Sequence, residues 1–133
     1  LVKKVIDDDS TLQRFIVKNQ VPVDQVYFDM VIKGMERVVE SGTGTVAQIP
    51  GVSIAGKTGT AENPHGKDHS LFVCYAPVED PKIAIAVIVE NAGFGSTYGA
   101  PIASLMMELY LNDTISTSRK YLEERMFNTN LIQ

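Results

Sequence analysis

Three consecutive stretches rich in β-branched and apolar residues, joined by short links, most constrain the fold of this chain. They occupy residues 52–61, 69–76 ("HSLFVCYA") and 82–90 ("KIAIAVIVE"), and the turn "PVEDP" joins the second to the third. A parallel strand pair needs a crossover of about a dozen residues or more, usually a helix, and neither link provides one. The three stretches therefore predict an antiparallel meander.

A helical pattern precedes the predicted meander. From Asp24, a candidate N-cap, apolar residues recur near helical spacing, and Gly42 supplies a stop. We expect Gly34, inside this helix, to mark a close contact. The apolar residues of the helix are Tyr27, Met30, Val31, Met35, Val38 and Val39.

A second helical pattern follows the meander, after the glycine-rich loop "NAGFGSTYGA", and Pro101 suits its first turn. The apolar residues that we expect to pack on the sheet are Ile102, Leu105, Met106 and Leu109. Residues 1–22 indicate a strand, an acidic turn and a second strand. Within the polar tail, "RKYLEERMF" predicts a turn or two of helix. Together these patterns predict an α+β fold, an antiparallel meander with flanking helices.

Composition excludes several classes of function. The chain has 133 residues, 44% of them hydrophobic, which is enough for one core. A formal net charge of −4, with no aromatic residues interleaved among Lys or Arg, argues against nucleic acid as a partner. The longest apolar run, "IAIAVIV", is too short to span a bilayer, so we expect any membrane anchor to lie outside this sequence. The single cysteine, Cys74, lies in an apolar strand and is expected to be a small buried hydrophobe.

The stretch "GVSIAGKTGT", residues 51–60, fits two incompatible motifs. From Gly51 to Thr58 it matches G-x-x-x-x-G-K-[ST], a phosphate-binding loop, and from Lys57 to Gly59 it is K-T-G, a strand motif of enzymes that β-lactams acylate. A phosphate loop requires a helix after its Lys-Thr pair, and Pro64 would cost such a helix about 3 kcal/mol. We therefore predict that the motif lies on a strand.

On a strand, each residue of the motif has chemistry that suits a catalytic cleft. Lys57 offers a positive charge that lowers the proton affinity of a neighbouring catalytic group and attracts a carboxylate. Gly59 lets a bound peptide approach the backbone, while Thr58 and Thr60 bring hydroxyls, and the Thr60 amide is an oxyanion donor. Because alternation sends Lys57 and the threonines to opposite faces, we expect this strand at the sheet edge, bordering a cleft. The alternative is a surface lysine on an ordinary edge strand.

A second candidate site is "HGKDH", residues 65–69, which loosely matches a zinc-binding pattern. Together with Glu62 it offers four potential ligands. Zinc hydrolases of this type carry the histidines on a helix, whereas Pro64 and Gly66 indicate a hairpin loop. We therefore expect this loop to overhang a substrate cleft, and we predict neither a metal nor a cofactor.

The sequence resembles a known family along most of its length. The stretch "GVSIAGKTGTAENPHGKDHSLFVCYAP", the strand that ends in "EN", the glycine-rich loop with its helix, and the earlier "MVIKGMERVVESGTGT" carry the resemblance. They are similar to the C-terminal part of the transpeptidase domain of bacterial class B penicillin-binding proteins, and most similar to the elongation-type group, penicillin-binding protein 2. The resemblance assigns residues 1–111 to a segment of this domain, which has the serine β-lactamase/DD-transpeptidase fold, and residues 112–133 to a polar tail.

The resemblance implies peptidoglycan cross-linking, in which a serine attacks the penultimate D-alanyl carbonyl of a stem peptide, D-alanine leaves, and an amine of a neighbouring strand resolves the acyl-enzyme. It makes Lys57 catalytic and places Thr58, Gly59 and Thr60 at the substrate and the oxyanion hole. The implied partners are stem peptides ending in D-Ala-D-Ala, β-lactam antibiotics, the rest of the transpeptidase domain and elongation-complex membrane proteins. The implied location is the periplasmic face of the cell inner membrane.

The chain departs from the family in one respect. No serine in it begins the family's S-x-x-K or S-x-N motif. We therefore expect a segment of a larger protein that is not catalytically competent alone and that, when isolated, exposes apolar surface where the rest of the domain would pack. The alternative function is a non-catalytic module that binds D-alanyl peptides or a protein.

Overall fold

The computed structural model describes residues 20–131, and the two strands predicted before residue 22 lie outside this range. Within it, the chain forms a helix, three strands and two further helices, with short 3-10 helices at Thr45–Ala47 and Thr117–Arg119. In chain order the main elements are α1 (Gln25–Glu40), β1 (Ala55–Ala61), β2 (His69–Ala76), β3 (Ile83–Val89), α2 (Gly99–Asn112) and α3 (Lys120–Phe127).

The strands form one sheet in the order β1-β2-β3, and both neighbouring pairs are antiparallel. The predicted α+β fold with an antiparallel meander is therefore confirmed. Strand β1 begins at Ala55, later than predicted, because the preceding residues bond elsewhere. Val52 makes an isolated bridge with Ile49, and the Ser53 hydroxyl accepts a hydrogen bond of 2.9 Å from the Val78 amide.

The core lies on one face of the sheet and centres on Phe72, which is fully buried. Alternate residues of β2 are buried with it, and Gly56 of β1 leaves room for its ring, since a Cβ there would lie 2.7 Å from the ring tip. Cys74 belongs to this core, as predicted, and burial raises the pKa of its thiol to about 12.

Helix α2 covers this core with a different face from the predicted one. Its buried apolar residues are Ala100, Ala103 and Met107, whereas Met106 and Leu109 of the predicted face are more than half exposed. The small alanines let the helix approach the sheet closely over Phe72. The predicted residues instead line an open apolar groove between α2 and α3, together with Ile115, Met126 and Phe127.

A buried ion pair fixes the tail to the domain. The Nε atom of Arg119 donates to Glu108 Oε2 at 2.8 Å, and the two side chains are 9% and 1% exposed. The guanidinium also donates to the carbonyl of Gln48 and, at 2.7 Å, to the hydroxyl of Ser104. Burial raises the pKa of Glu108, but hydrogen bonds from Ser116 and Arg119, and the charge of Arg119, outweigh it and hold the pKa below its usual value.

The tail also contains the predicted short helix, α3. Its residue Leu122 is almost completely buried. The boundary at residue 111 stays a prediction, but the residues beyond it are packed against the rest of the fold through Arg119 and Leu122.

Helix α1 follows its predicted N-cap, Asp24, and carries exposed apolar residues. Val39 is its one buried residue, while the apolar side chains that are 55% to 65% exposed are Val26, Tyr27, Met30 and Val31. The exposed apolar surface is therefore present, and the expectation that the rest of the domain packs on it stays a prediction. The close contact expected at Gly34 is not found within residues 20–131, where a Cβ at this position would meet nothing within 4 Å. Among residues 20–131, no helix has the length and apolar character needed to cross a membrane.

Candidate functional site

The K-T-G residues lie on β1, which is an outer strand of the sheet within the part of the chain that the structure describes. The strand continues through Lys57 and Thr58 to Ala61, so no helix follows the Lys-Thr pair. A phosphate-binding loop would have a helix there, with its amides facing the phosphates. The strand interpretation of the motif is therefore confirmed.

A cleft of about 300 Å³ borders this strand. Three chain segments line it: the loop after α1, strand β1 and the loop before α2. The lining residues are Thr43, Thr58, Gly59, Thr60, Phe94, Gly95 and Ser96. A larger cavity of about 470 Å³ lies near the end of α1, Arg119 and Tyr121, but it contains none of the K-T-G residues. We take the smaller cleft as the candidate site because Thr58, Gly59 and Thr60 line it.

The pleat of β1 divides the motif between two faces. Thr58 lies opposite Phe72 and so projects to the core face, whereas Lys57 lies opposite Val73 and projects to the other face. The structure therefore brings Thr58, Gly59 and Thr60 together in the cleft, and it places Lys57 beside the cleft rather than in its lining.

Lys57 is exposed, and its Nζ donates to the carbonyl of the next residue, Thr58, at 2.6 Å. Among residues 20–131 no carboxylate forms an ion pair with it. The described part of the chain therefore does not neutralise the positive charge of Lys57, and its side chain is accessible to solvent.

A hydrogen bond joins the cleft's two walls. The hydroxyl oxygens of Thr43 and Thr58 are 2.7 Å apart, and either one can be the donor. The position of Thr43 is set by the turn that ends α1, in which the Gly44 amide donates to the carbonyl of Val38 at 2.8 Å. Gly44 is buried, and a Cβ on it would lie 3.1 Å from the Val38 side chain.

The loop before α2 lies directly over the sheet. A Cβ on Gly95 would collide with the carbonyl oxygens of Leu71 and Gly59, the second at 2.7 Å, so a side chain cannot be accommodated there. Ser70, which is fully buried, fixes this loop by donating to the Phe94 carbonyl at 2.7 Å and accepting from the Gly99 amide at 3.0 Å.

Sequence reasoning missed Thr43, Ser70 and Gly95 as parts of the site. The loops that contain Thr43 and Gly95 are visible in the sequence as glycine-rich segments, but their contacts with β1 depend on the tertiary fold. Ser70 has no such signal, because a serine in an alternating strand looks like any other polar position.

The "HGKDH" loop, the candidate zinc site of the sequence, lies within the described residues. Among residues 20–131 no three His, Cys, Asp or Glu side chains come together in a way that could hold an ion. His69 Nδ1 accepts from the Asn91 amide at 3.0 Å, and Asp68 accepts from the Asn63 amide at 3.2 Å. The loop lines a separate cavity with Asn91 and Leu131, and none of its residues lines the K-T-G cleft.

Comparison with known proteins gives a consistent result. Residues 1–108 match the family described as the penicillin binding protein transpeptidase domain. Peptidoglycan D,D-transpeptidase MrdA of Haemophilus influenzae is 36% identical over 107 residues, which are 67% of this chain and 16% of that protein.

Two solved structures are similar to the chain. Pseudomonas aeruginosa PBP2 in complex with WCK 5153 has a TM-score of 0.64 and 36% identity, covering 76% of this chain and 23% of that one. The imipenem acyl-enzyme complex of penicillin-binding protein A from Mycobacterium tuberculosis has a TM-score of 0.53 and 38% identity, and the match covers 66% of this chain and 20% of that one. The chain spans less than a quarter of each of these relatives.

Proposed function

We propose that this chain, which belongs to the transpeptidase-domain family of class B penicillin-binding proteins, supplies the substrate-binding strand of a peptidoglycan D,D-transpeptidase. The observation that carries the proposal is the K-T-G motif on an edge strand beside a cleft, with a lysine whose charge has no carboxylate partner in the described chain. The whole protein then joins stem peptides ending in D-Ala-D-Ala and is acylated by β-lactams.

Each residue of the motif has its own part in this reaction. Lys57 favours the deprotonated form of a nearby nucleophile and attracts the carboxylate of the substrate through its charge. Thr58 and Thr60 donate hydroxyl hydrogen bonds to that carboxylate, and the Thr60 amide stabilises the oxyanion that forms on the attacked carbonyl. Gly59 leaves the backbone of β1 accessible, so that an extended peptide can pair along the strand edge.

The nucleophile is supplied by another part of the whole protein. No serine of this chain begins S-x-x-K or S-x-N, so the chain alone is expected to be inactive. In the complete domain, the serine oxygen forms a bond to the D-alanyl carbonyl carbon, the bond to the terminal D-alanine nitrogen breaks, and a proton passes to that leaving amine. The imipenem acyl-enzyme of the Mycobacterium tuberculosis relative supports the β-lactam part of this proposal.

The rest of the domain is the first partner of this chain. The exposed apolar residues of α1 give it a surface that a neighbouring part of the same domain can cover. The site of action follows from the substrate: because peptidoglycan lies outside the cytoplasmic membrane, we place the whole protein at the periplasmic face of the inner membrane, with elongation-complex membrane proteins as further partners.

The test is a comparison of two reagents on Thr60→Val in the whole protein. Valine keeps the β-branched shape and the oxyanion amide but removes the hydroxyl, which as a hydrogen bond to a charged group contributes about 1.5 to 3 kcal/mol. We expect the second-order acylation rate of a penicillin to fall roughly ten- to a hundred-and-fifty-fold. The methyl ester of the same penicillin, which lacks the carboxylate, should lose much less.

Thr60→Ser, which keeps a hydroxyl, serves as the matched control and should stay near the unaltered rate. Equal losses for the acid and the ester would mean that Thr60 does not hold the carboxylate. The non-catalytic alternative makes a different prediction, because a binding module would bind stem peptides while a fluorescent penicillin leaves no covalent label on the whole protein.

A further inference from the structure

The hydrogen bond between Thr43 and Thr58 has a consequence for how Thr58 binds a carboxylate. The two hydroxyl oxygens are 2.7 Å apart, and both residues line the cleft. Thr43 lies outside the K-T-G motif, on the loop between α1 and the first 3-10 helix. A hydroxyl has one proton to donate and two lone pairs that accept.

Proton counting decides the direction of this bond when a substrate is present. A carboxylate can only accept, so Thr58 must use its single proton to reach it. The bond to Thr43 can then persist only if Thr43 donates and Thr58 accepts. In the opposite arrangement Thr58 gives its proton to Thr43 and has none for the substrate.

We propose that Thr43 is a positioning residue that donates its hydroxyl proton to Thr58 and so directs the Thr58 proton towards the substrate carboxylate. This role rests on the function proposed above. The hydrogen bond from Thr43 also restricts the rotation of the Thr58 hydroxyl, and this lowers the entropy lost when the carboxylate binds.

The surroundings of Thr43 suit this role. The Gly44 amide holds the turn to the Val38 carbonyl, so the backbone at Thr43 is fixed from the neighbouring position without the Thr43 side chain. Thr43 itself is exposed. Replacing its hydroxyl by a methyl group therefore neither opens a core cavity nor removes a backbone hydrogen bond.

The experiment measures acylation of the whole protein by a penicillin and by its methyl ester. For Thr43→Val we expect the rate with the acid to fall about three- to tenfold, which is the range for one neutral hydrogen bond, and the rate with the ester to stay within about twofold. Thr43→Ser should restore the rate with the acid. Thr45→Val, the same change two residues away in a different cavity, is the matched control and should match the unaltered protein.

A double variant separates positioning from a general structural effect. If Thr43 acts through Thr58, then Thr43→Val combined with Thr58→Val should lose no more than Thr58→Val alone. Additive losses, equal losses with acid and ester, or no loss in Thr43→Val would each overturn the role of Thr43 while leaving the proposed function intact. Absence of acylation in the unaltered protein would instead refute the proposed function and this role together.

Discussion

Removing Arg119 should destabilise the fold far more than removing the lysine beside it. Arg119→Met leaves Glu108, which is 1% exposed, without its guanidinium partner, and it also deprives Ser104 and the Gln48 carbonyl of a donor. Breaking a buried ion pair by removing one partner costs about 3 to 5 kcal/mol, because the remaining charge stays buried and uncompensated. We expect a loss of that size in the free energy of unfolding.

The chain provides a matched control in the next residue. Lys120 pairs with Glu123 at 2.7 Å, nearly the same distance as the buried pair, but these two side chains are 50% and 30% exposed. An exposed ion pair contributes about 0 to 1 kcal/mol, so Lys120→Ala should change the free energy of unfolding by no more than about 1 kcal/mol. The comparison sets a buried ion pair with additional hydrogen bonds against an exposed ion pair of similar length.

The assay is urea unfolding of the whole protein followed by circular dichroism, with the slope of the free energy against urea required to be the same in all variants. The double variant Glu108→Leu with Arg119→Met removes both charges and should recover part of the loss, because no charge is then left buried. If Arg119→Met cost no more than Lys120→Ala, the reasoning from burial would be wrong.

Three further predictions concern titration and packing. The folded state lowers the pKa of Glu108, so the contribution of its carboxylate to stability is complete above the unfolded pKa of about 4.3 and is lost as the pH falls through the folded pKa. In Glu108→Gln, which cannot titrate at this position, the urea concentration at the unfolding midpoint should therefore depend less on pH in this acidic range. With a thiol pKa of about 12, Cys74 should react with a disulfide reagent at pH 8 only as fast as the fold opens, and a rapid reaction of the native protein would contradict its burial. Gly95→Ala should lower both the melting temperature and the rate of penicillin acylation, because its Cβ collides with the Leu71 carbonyl.

The sheet could be predicted from the sequence because the features that determine it involve residues close together in the chain. Short links between β-rich stretches leave an antiparallel meander as the outcome, and Pro64 excludes a helix after Thr58. The face of α2 could not be predicted in the same way. Its sequence has two apolar stripes, and hydrophobicity favours the larger side chains of Met106 and Leu109, whereas the sheet selects the stripe of small residues around Ala103, which permits close approach.

In the candidate site, too, some features could be predicted from local sequence and others depend on the tertiary fold. The strand, its outer position among the described strands and the cleft at Thr58 to Thr60 follow from a local motif and from the alternation of a strand. Thr43 and Ser70 do not, because their hydrogen-bond partners are at least 15 and 24 residues away. A long-range hydrogen bond leaves no periodic pattern in the sequence, so only the fold reveals it.

The buried pair and the cleft are linked through the chain segments that they share. Arg119 holds the carbonyl of Gln48, which follows the turn at Thr43, and it holds Ser104 and Glu108 on α2, whose first turn follows the loop at Gly95. A single guanidinium therefore joins the two chain segments that follow the loops lining the cleft, residues 46–48 and 104–108. A charged group is costly to bury, and the burial of this one is compensated by four hydrogen-bond partners, two from each segment. The tail thus contributes to the geometry of the cleft without supplying any residue to its lining.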